Sequence, residues 1–514
     1  MGNDRRRRWI RPILLGLGAG LAAGVALPPQ GWPWLLWPAL AVLWSLAAEP
    51  LRPRAFHVIP AFAWGMAAVL VSHLWLLWLH PLDWIGVPPS LSLPLCLGVW
   101  LLCGTVGGGL VGLWAVAVGR LDPRHPATAL IGATGWGLAE IVLAKGPLFW
   151  IGLGAAALPG DPPLAGLASL GGAGVLAAIQ LLLGWGLWRI VAVPRARPLR
   201  LALLAGLLLA LQLAGAAALA PAARDDGGVE KVVVLQPAIP TRRKFLASEQ
   251  RRLLQRLREA LQQAADLDAA ALLLPEGALP LGQPLPETAA SVEVLSGGFR
   301  WTGAEQRSSI LRFPPGERFP RQWVDKHRVV PLGEWVPLPG LLRWSGLSAV
   351  GGLEPGPPSR LLRRPSGPIG VAICYEISDG ASLAAAVRQG AGWLLATANL
   401  DPYPAQLKGQ FTALARLRAI EAGRWLVSAA NTGPSLLVDA RGRVLRDLPA
   451  GIPATGAMRV QRRSRLTPYA RWGEAPLLLL LIGACGGRWR IRARGKVETS
   501  PTPSSEAPCP GGWT

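Results

Sequence analysis

The 514-residue chain is poor in charge, in cysteine and in every aromatic except tryptophan. Charged residues make up 16% of it and hydrophobic residues 51%. A soluble domain carries about 25% charged residues, so this balance argues against a purely soluble protein and for a membrane. Five cysteines are too few and too scattered for a disulfide framework, and none stands in a C-x-x-C or Cys/His pair with metal-ligand spacing. No metal or organic cofactor is expected. Acidic residues are also scarce: 30 Asp and Glu face 52 Lys and Arg, a formal charge of +22. Nucleic acid is one reading of such a charge; the cytoplasmic loops of a membrane protein are another. Only 3 tyrosines and 8 phenylalanines accompany 24 tryptophans. Indole rings favour the membrane–water interface, so the excess agrees with many interface crossings.

What is present in quantity is apolar runs. The length leaves room for two or three domains, and there is no internal repeat. A bilayer-spanning helix needs about 20 apolar residues. Residues 11–28, 33–48, 57–79, 91–118, 127–144, 165–188 and 201–220 fit that length, making 1–221 a membrane domain of about seven helices. A shorter eighth run, 472–487, contains "APLLLLLIGACGG". The first run follows "RRRR" but leads straight into the second without a cleavage signal, so it is read as retained. Basic residues alternate between loops. Arg5 to Arg8 and Arg11, Arg52 and Arg54, Arg120 and Arg124, the four arginines between 189 and 200, and the cluster 488–496 mark one side. The intervening loops near 28–33 and 80–90 carry none, and 145–164 carries only Lys145. By the positive-inside rule both termini are cytoplasmic and the segment 221–470 is extracytoplasmic. Much of the basic charge is then explained without nucleic acid.

Residues 229–465 read as a layered α/β domain. "EKVVVLQ" is a short β-rich run, and "AALLLPE", "GVAICYE" and "GWLLATAN" are short continuous apolar runs of the kind found in strands buried on both faces. "LASEQRRLLQRLREALQQAA" places Leu253, Leu254, Leu257 and Leu261 on one helical face. "QLKGQFTALARLRAIEAG" is a helix ended by Gly423, and "SLLVDARGRVL" is a hairpin. The tail after 488 is basic, then Pro/Ser-rich and expected to be disordered.

Two apolar runs end in reactive groups, Glu276 after "ALLLP" and Cys374 after "GVAI"; Lys326 lies in "WVDKHRVVPLGEWVP", followed by Glu334. A thiol, a base and an ammonium can form an acyl-transfer site. The carboxylate would take the thiol proton, and the ammonium, with a backbone N–H just after the cysteine, would stabilise a tetrahedral oxyanion. A neighbouring ammonium is also expected to lower the cysteine pKa. A lone cysteine in an apolar strand is nevertheless more often an inert buried thiol. A strand-end glutamate and a lysine in a "DKHR" run are more often solvated. The residues alone leave both readings open. Glu140, inside the fifth run with Trp136, is a candidate for either a substrate role or helix-to-helix hydrogen bonding. His73, His80 and His327 read as packing or neighbouring residues.

The strings "LLLPEGALP", "DKHRVVPLGEWVP" and "AICYEI" resemble, in that order, the Glu, Lys and Cys motifs of the nitrilase superfamily. "LQPAIPTRRKF", "GWGLAEIVLAKGPLFW" and "LTPYARWGEAPL" extend the likeness to nearly the full length, which is similar to the apolipoprotein N-acyltransferase branch. The resemblance implies a multi-span helical membrane domain, an extracytoplasmic αββα sandwich and a final transmembrane helix. It implies Glu276 as base, Lys326 as oxyanion partner and Cys374 as nucleophile, with Glu334, Tyr375, Glu376, Phe245 and Asn399 in support. The implied partners are a phospholipid acyl donor and diacylglyceryl-modified apolipoproteins, at a bacterial plasma membrane. Two positions depart from the family pattern. Phe245 stands where a Trp is usual, and "ANLDPYP" replaces a more aromatic loop after Asn399. The segment 281–325 is expected to supply mobile arms over the site. A membrane-tethered amidase with water as acceptor is the rival enzyme, and a transporter or scaffold the rival of another class. With no oligomeric signal, a monomer is expected.

Overall fold

Apolar helices fill the first part of the chain in the computed structural model, which describes residues 2–49, 55–83, 87–194, 197–220, 227–244, 246–287, 292–331, 334–335, 352–401 and 403–498. Phe245 therefore lies outside the described residues, as does the tail beyond 498. The membrane part comprises α1 (Gly2–Ala26), α2 (Pro33–Ala48), α3 (Ala55–Ser72), α4 (Pro89–Arg120), α5 (Pro126–Ala144), the short α6 (Pro162–Gly166), α7 (Ala168–Ala192) and α8 (Arg197–Ala218). Among the described residues α4, α5, α7 and α8 are long and apolar enough to cross a membrane, and shorter apolar helices accompany them.

Two of the apolar runs fold differently from a single straight span. The run 57–79 stops as an α-helix at Ser72 and continues as a 3-10 turn over Leu74–Leu79. The run 165–188 is divided between α6 and α7, and α7 is kinked at Gly172. Tryptophan is not confined to the interface either. Trp44 and Trp64 are fully buried, and their indole N–H groups donate to Leu181 O and Ala39 O, both at 3.0 Å. Inside a bundle such a bond satisfies the ring's one polar atom, so the rest packs as apolar surface.

The second part is a sandwich of two six-stranded sheets. The first has the order β12-β1-β2-β3-β4-β5 and the second β11-β10-β9-β8-β7-β6. The first is built from β1 (Val229–Gln236), β2 (Ala271–Leu273), β3 (Glu293–Thr302), β4 (Glu305–Phe313), β5 (Gln322–Asp325) and β12 (Ala454–Gln461). The second holds β6 (Leu361–Leu362), β7 (Ile369–Ile373), β8 (Leu394–Ala398), β9 (Leu426–Ala430), β10 (Leu436–Val438) and β11 (Val444–Asp447). Strands β7, β8 and β9 run parallel and every residue in them is buried. That is why their sequences are apolar without alternation. Val232, Val234, Leu273 and Leu295 meet Val371, Ile373, Leu395 and Val427 between the sheets.

Helices cover both outer faces. α9 (Ala247–Asp266) lays Leu257 and Leu261 on Val233 and Leu272 of the first sheet. Leu253 is also buried, while Leu254 is half-buried at the margin of that face. Each such leucine contributes about 1.5–3 kcal/mol by leaving water. α10 (Gly380–Arg388) and α11 (Ala405–Ala422) cover the second sheet, giving the αββα order. α11 has no polar face, because its other side lies on the membrane helices. The chain returns through α12 (Pro468–Trp472) to the final apolar helix α13 (Ala475–Glu498).

Segment 281–325 differs from the expectation of mobile arms. Most of it is β3, β4 and β5, paired in register from Val294↔Phe313 to Thr302↔Glu305 and from Ser309↔Asp325 to Arg312↔Gln322. Its arginines are used structurally: Arg300 donates to Asp325 at 2.7 and 2.6 Å.

Candidate active site

Cys374 sits where buried strand β7 ends and a 3-10 turn, Cys374–Ser378, begins. Its φ is +55°, a left-handed value that a β-carbon disfavours. Such a sharp exit turns the side chain out of the sheet and stores strain where reactive groups are often found. Glu376 holds the turn together. One carboxylate oxygen accepts from Ile373 N at 3.0 Å and from Arg360 Nη1 at 2.8 Å. The other accepts from His327 N at 2.7 Å and Arg328 N at 3.2 Å. A single buried side chain thus ties the approach to Cys374 to the loop that carries Lys326.

Lys326 follows β5, and its backbone N–H donates to Ser308 O at 2.8 Å. The side chain is buried, and Nζ donates to Glu276 Oε1 and Glu334 Oε1, both at 2.7 Å. Burial alone would lower the lysine's pKa, but the Glu276 and Glu334 carboxylates and Cys374 outweigh it and hold the pKa well above the usual value. Glu334 also accepts from Val330 N at 2.9 Å; burial raises its pKa despite Lys326. Glu276 leaves β2 through Leu274 and Pro275, and its second oxygen accepts from Asn399 N at 3.1 Å. The Asn399 side chain is itself fixed, donating to Thr241 Oγ1 and accepting from Asn431 Nδ2, both at 3.0 Å.

The Cys374 thiol is hydrogen-bonded to Glu276. Its pKa is raised well above the ordinary value, first by burial and then by the Glu276 and Glu334 carboxylates. Lys326 acts in the opposite direction but does not prevail. The expectation of a lowered thiol pKa is therefore corrected. Two carboxylates accompany the one ammonium, so the pocket as a whole does not favour a third anion. Tyr375, next to the cysteine, donates from its hydroxyl to Val329 O at 3.0 Å. Its ring lies under Lys326 and Arg328, with Nζ and Cζ at 5.6 and 4.7 Å from the centroid.

Two cavities meet at Cys374. One, of about 240 Å³, is walled by Trp75, Leu79, Val99, Phe149, Leu407 and Phe411, so membrane helices supply much of it. The other, of about 370 Å³, is more polar and includes Arg242, Lys244, Glu249, Asn399 and Asp401. Tyr403 lines both. Among the described residues no group of His, Cys, Asp and Glu could hold a metal ion.

Arg328 and Arg360 are site residues that sequence reasoning missed. Arg328 donates to Tyr375 O and Ser378 Oγ, both at 2.9 Å, and reaches Ala144 O of the membrane part. Glu140 is not in either cavity. It accepts from Trp136 Nε1 at 2.9 Å and from Leu153 N at 2.9 and 3.0 Å, a helix-to-loop tie.

The carbon-nitrogen hydrolase family profile matches residues 322–465, which include Lys326 and Cys374. An apolipoprotein N-acyltransferase of Prochlorococcus marinus (strain MIT 9313) is 48% identical over 505 residues, covering 96% of this chain and 98% of its own. The chain belongs to the apolipoprotein N-acyltransferase family. A second apolipoprotein N-acyltransferase, from Parasynechococcus marenigrum (strain WH8102), is 49% identical over 92% of this chain and 98% of its own. Membership makes the protein an acyltransferase that joins a nitrilase-superfamily domain to a helical membrane domain.

Proposed function

We propose that the protein transfers an acyl chain from a phospholipid to Cys374, and from there to the α-amine of the N-terminal diacylglyceryl-cysteine of apolipoproteins. The observation that carries this reading is the position of Cys374 between an apolar cavity and a more polar one. An amidase acting on a small polar substrate would have no use for the apolar cavity.

In the first half-reaction Sγ attacks the ester carbonyl as Glu276 takes the thiol proton. The tetrahedral oxyanion is met by Lys326 Nζ and by the backbone N–H of Tyr375, at the start of a helical turn where N–H groups lack intrahelical acceptors. The C–O bond breaks, Glu276 returns its proton to the leaving glycerol oxygen, and a thioester remains. In the second half-reaction the neutral α-amine attacks the thioester and Glu276 takes its proton. The C–S bond breaks and the amide leaves, with the proton restored to the thiol. Glu334 shares Lys326 with Glu276, and Glu376 and Asn399 position the turn and the base.

Both substrates are lipid-anchored, so the site belongs at a membrane surface. The reading places both termini in the cytoplasm and the sandwich outside. The clustering of the basic loops at one end of the bundle supports it. Arg488 donates to Leu121 O at 2.9 Å, Trp185 to Pro123 O at 2.8 Å, and Arg200 to Arg189 O at 2.8 Å. The sandwich touches the other end: Gln410 donates to Ser72 O, and Ser378 to Ala144 O, both at 2.8 Å.

Mass spectrometry of a lipoprotein N-terminus tests the reading. Cells relying on this enzyme are expected to make triacylated product, and cells relying on Cys374→Ser only the diacyl form. Triacylation by the variant would exclude the thioester. Its absence with the wild type would exclude the substrate.

A further inference from the structure

The positive-inside pattern accounts for the arginines at the cytoplasmic end but leaves a second group. A cleft of about 830 Å³ opens on the opposite side of α11 from the active-site cavities. It is lined by Arg441, Arg443, Arg463, Arg465 and Arg471, against a single acidic residue, Asp439. Asp439 is already paired with Arg443 at 2.7 Å. Among the described residues no carboxylate lies within ion-pair distance of the Arg441, Arg465 or Arg471 guanidinium, although Asp439 accepts from the Arg441 backbone N–H at 3.0 Å. Such a concentration of unmatched cations is unfavourable without an anion to share.

The floor of the cleft tells which anion. Residues 217–220, at the end of α8, and Ser169 and Leu170, near the start of α7, form one wall. α8 stands at the perimeter of the bundle: Leu203, Leu209 and Leu213 are exposed, and within the helix Gly215 alone is buried. Trp472, 59% exposed, stands on the rim. The cleft is therefore reached sideways along a lipid-facing helix and sits at the level where indole rings settle. α11 connects the two regions. Leu407 lines the apolar cavity and Ile420 the cleft, about 20 Å apart along the helix at 1.5 Å per residue.

We propose that this cleft is a second lipid site, which holds the anionic headgroup of a membrane lipid between Arg441, Arg465 and Arg471 while its chains lie along α8. Guanidinium groups suit it because they donate two parallel hydrogen bonds to a phosphate or similar oxyanion. The site anchors the end of α11 remote from Cys374 to the leaflet from which substrates arrive. The proposal does not depend on the thioester mechanism.

The full-length protein is reconstituted in phosphatidylcholine nanodiscs containing phosphatidylglycerol, and retained lipids are counted by native mass spectrometry. The wild type is expected to enrich phosphatidylglycerol about tenfold over its share of the bilayer. The triple variant Arg441→Gln, Arg465→Gln, Arg471→Gln should lose that enrichment, and the corresponding Arg→Lys variant should keep most of it. Should the triple variant not fold, the single changes Arg465→Gln and Arg471→Gln, at exposed positions, each are expected to show a partial loss. Equal enrichment in wild type and Gln variants would overturn the site. Displacement of the lipid by millimolar inorganic phosphate would overturn its assignment to a lipid rather than a free anion.

Discussion

The Cys374 thiol and Glu276 form a pair that is neutral on one side and basic on the other before substrate arrives. Burial raises the thiol above its ordinary 9.0, and two nearby carboxylates add to the effect. A thiol so held needs a base at the moment of attack, rather than a standing thiolate. Alkylation of Cys374 by iodoacetamide is therefore expected to accelerate with pH up to and beyond about pH 9. Lys326→Met removes the ammonium that opposes the shift and should move the profile still higher. Glu276→Gln should lower turnover by about 10²–10⁴-fold, the usual worth of a positioned base. A plateau in alkylation near neutral pH would show a preformed thiolate and sink this role for Glu276. At this scale the sequence was informative where a polar side chain interrupts a buried run, as at Glu276 and Cys374. It was uninformative for Arg328 and Arg360. An arginine in a charged loop reads as solvated, but Arg360 is buried against Glu376, 16 residues away in the chain, and the Arg328 guanidinium reaches Tyr375 O and Ser378 Oγ, 47 and 50 residues away.

Among the elements, strand β3 shows how a sheet can place the carboxylate proposed as base. Gly297 lies under the turn that carries Glu276. A β-carbon there would stand 2.3 Å from Pro275 O and 2.5 Å from Glu276 Cα. Both are backbone atoms and cannot rotate away. Gly297→Ala is thus expected to push Glu276 out of line, and a displacement of about 1 Å can cost about 10²-fold in rate. The adjacent Gly298→Ala would meet a Leu311 methyl at 2.8 Å, a side-chain contact that can yield. It should reduce stability, by about 1–3 kcal/mol, more than turnover. Wild-type kcat in Gly297→Ala would refute the placement argument. The same strand marks where sequence reading fell short. Gly297, Gly298 and the arginines of 281–325 made the segment look like a mobile loop, whereas the glycines admit a neighbouring turn, and Arg300 and Arg312 pair with the buried acids Asp325 and Glu293. The parallel strands β7 and β8 were legible because burial on both faces leaves an unbroken apolar run. The 3-10 turn Leu74–Leu79 was not, since it is as apolar as the helix before it.

At the scale of the whole molecule, α11 is the member shared by both halves. Gln406 donates to Val71 O at 2.9 Å and Gln410 to Ser72 O at 2.8 Å near one end. Near the other, Glu421 accepts from Ala173 N at 2.7 Å and pairs with Arg418 at 2.9 Å. Burial between the sandwich and the membrane helices raises the Glu421 pKa from 4.5 to about 7; Arg418 and the Ala173 N–H oppose this, while Glu474 and Asp379 add to it. The folded state therefore holds this proton more tightly than the unfolded chain. The contribution to stability is complete below about pH 4.5, declines as pH rises to about 7, and is flat above. The loss is about 3 kcal/mol at 1.36 kcal/mol per unit. A residue that cannot ionise has no such slope. The thermal midpoint of the wild type in detergent should fall between pH 5 and pH 8 by more than that of Glu421→Gln, whatever the variant's absolute stability. Arg418 loses its carboxylate partner in the variant at every pH, so a uniformly lower midpoint would leave the difference in slope intact. Parallel profiles would mean that the Glu421 carboxyl does not titrate at the junction of the two halves, and that their joining is insensitive to its charge.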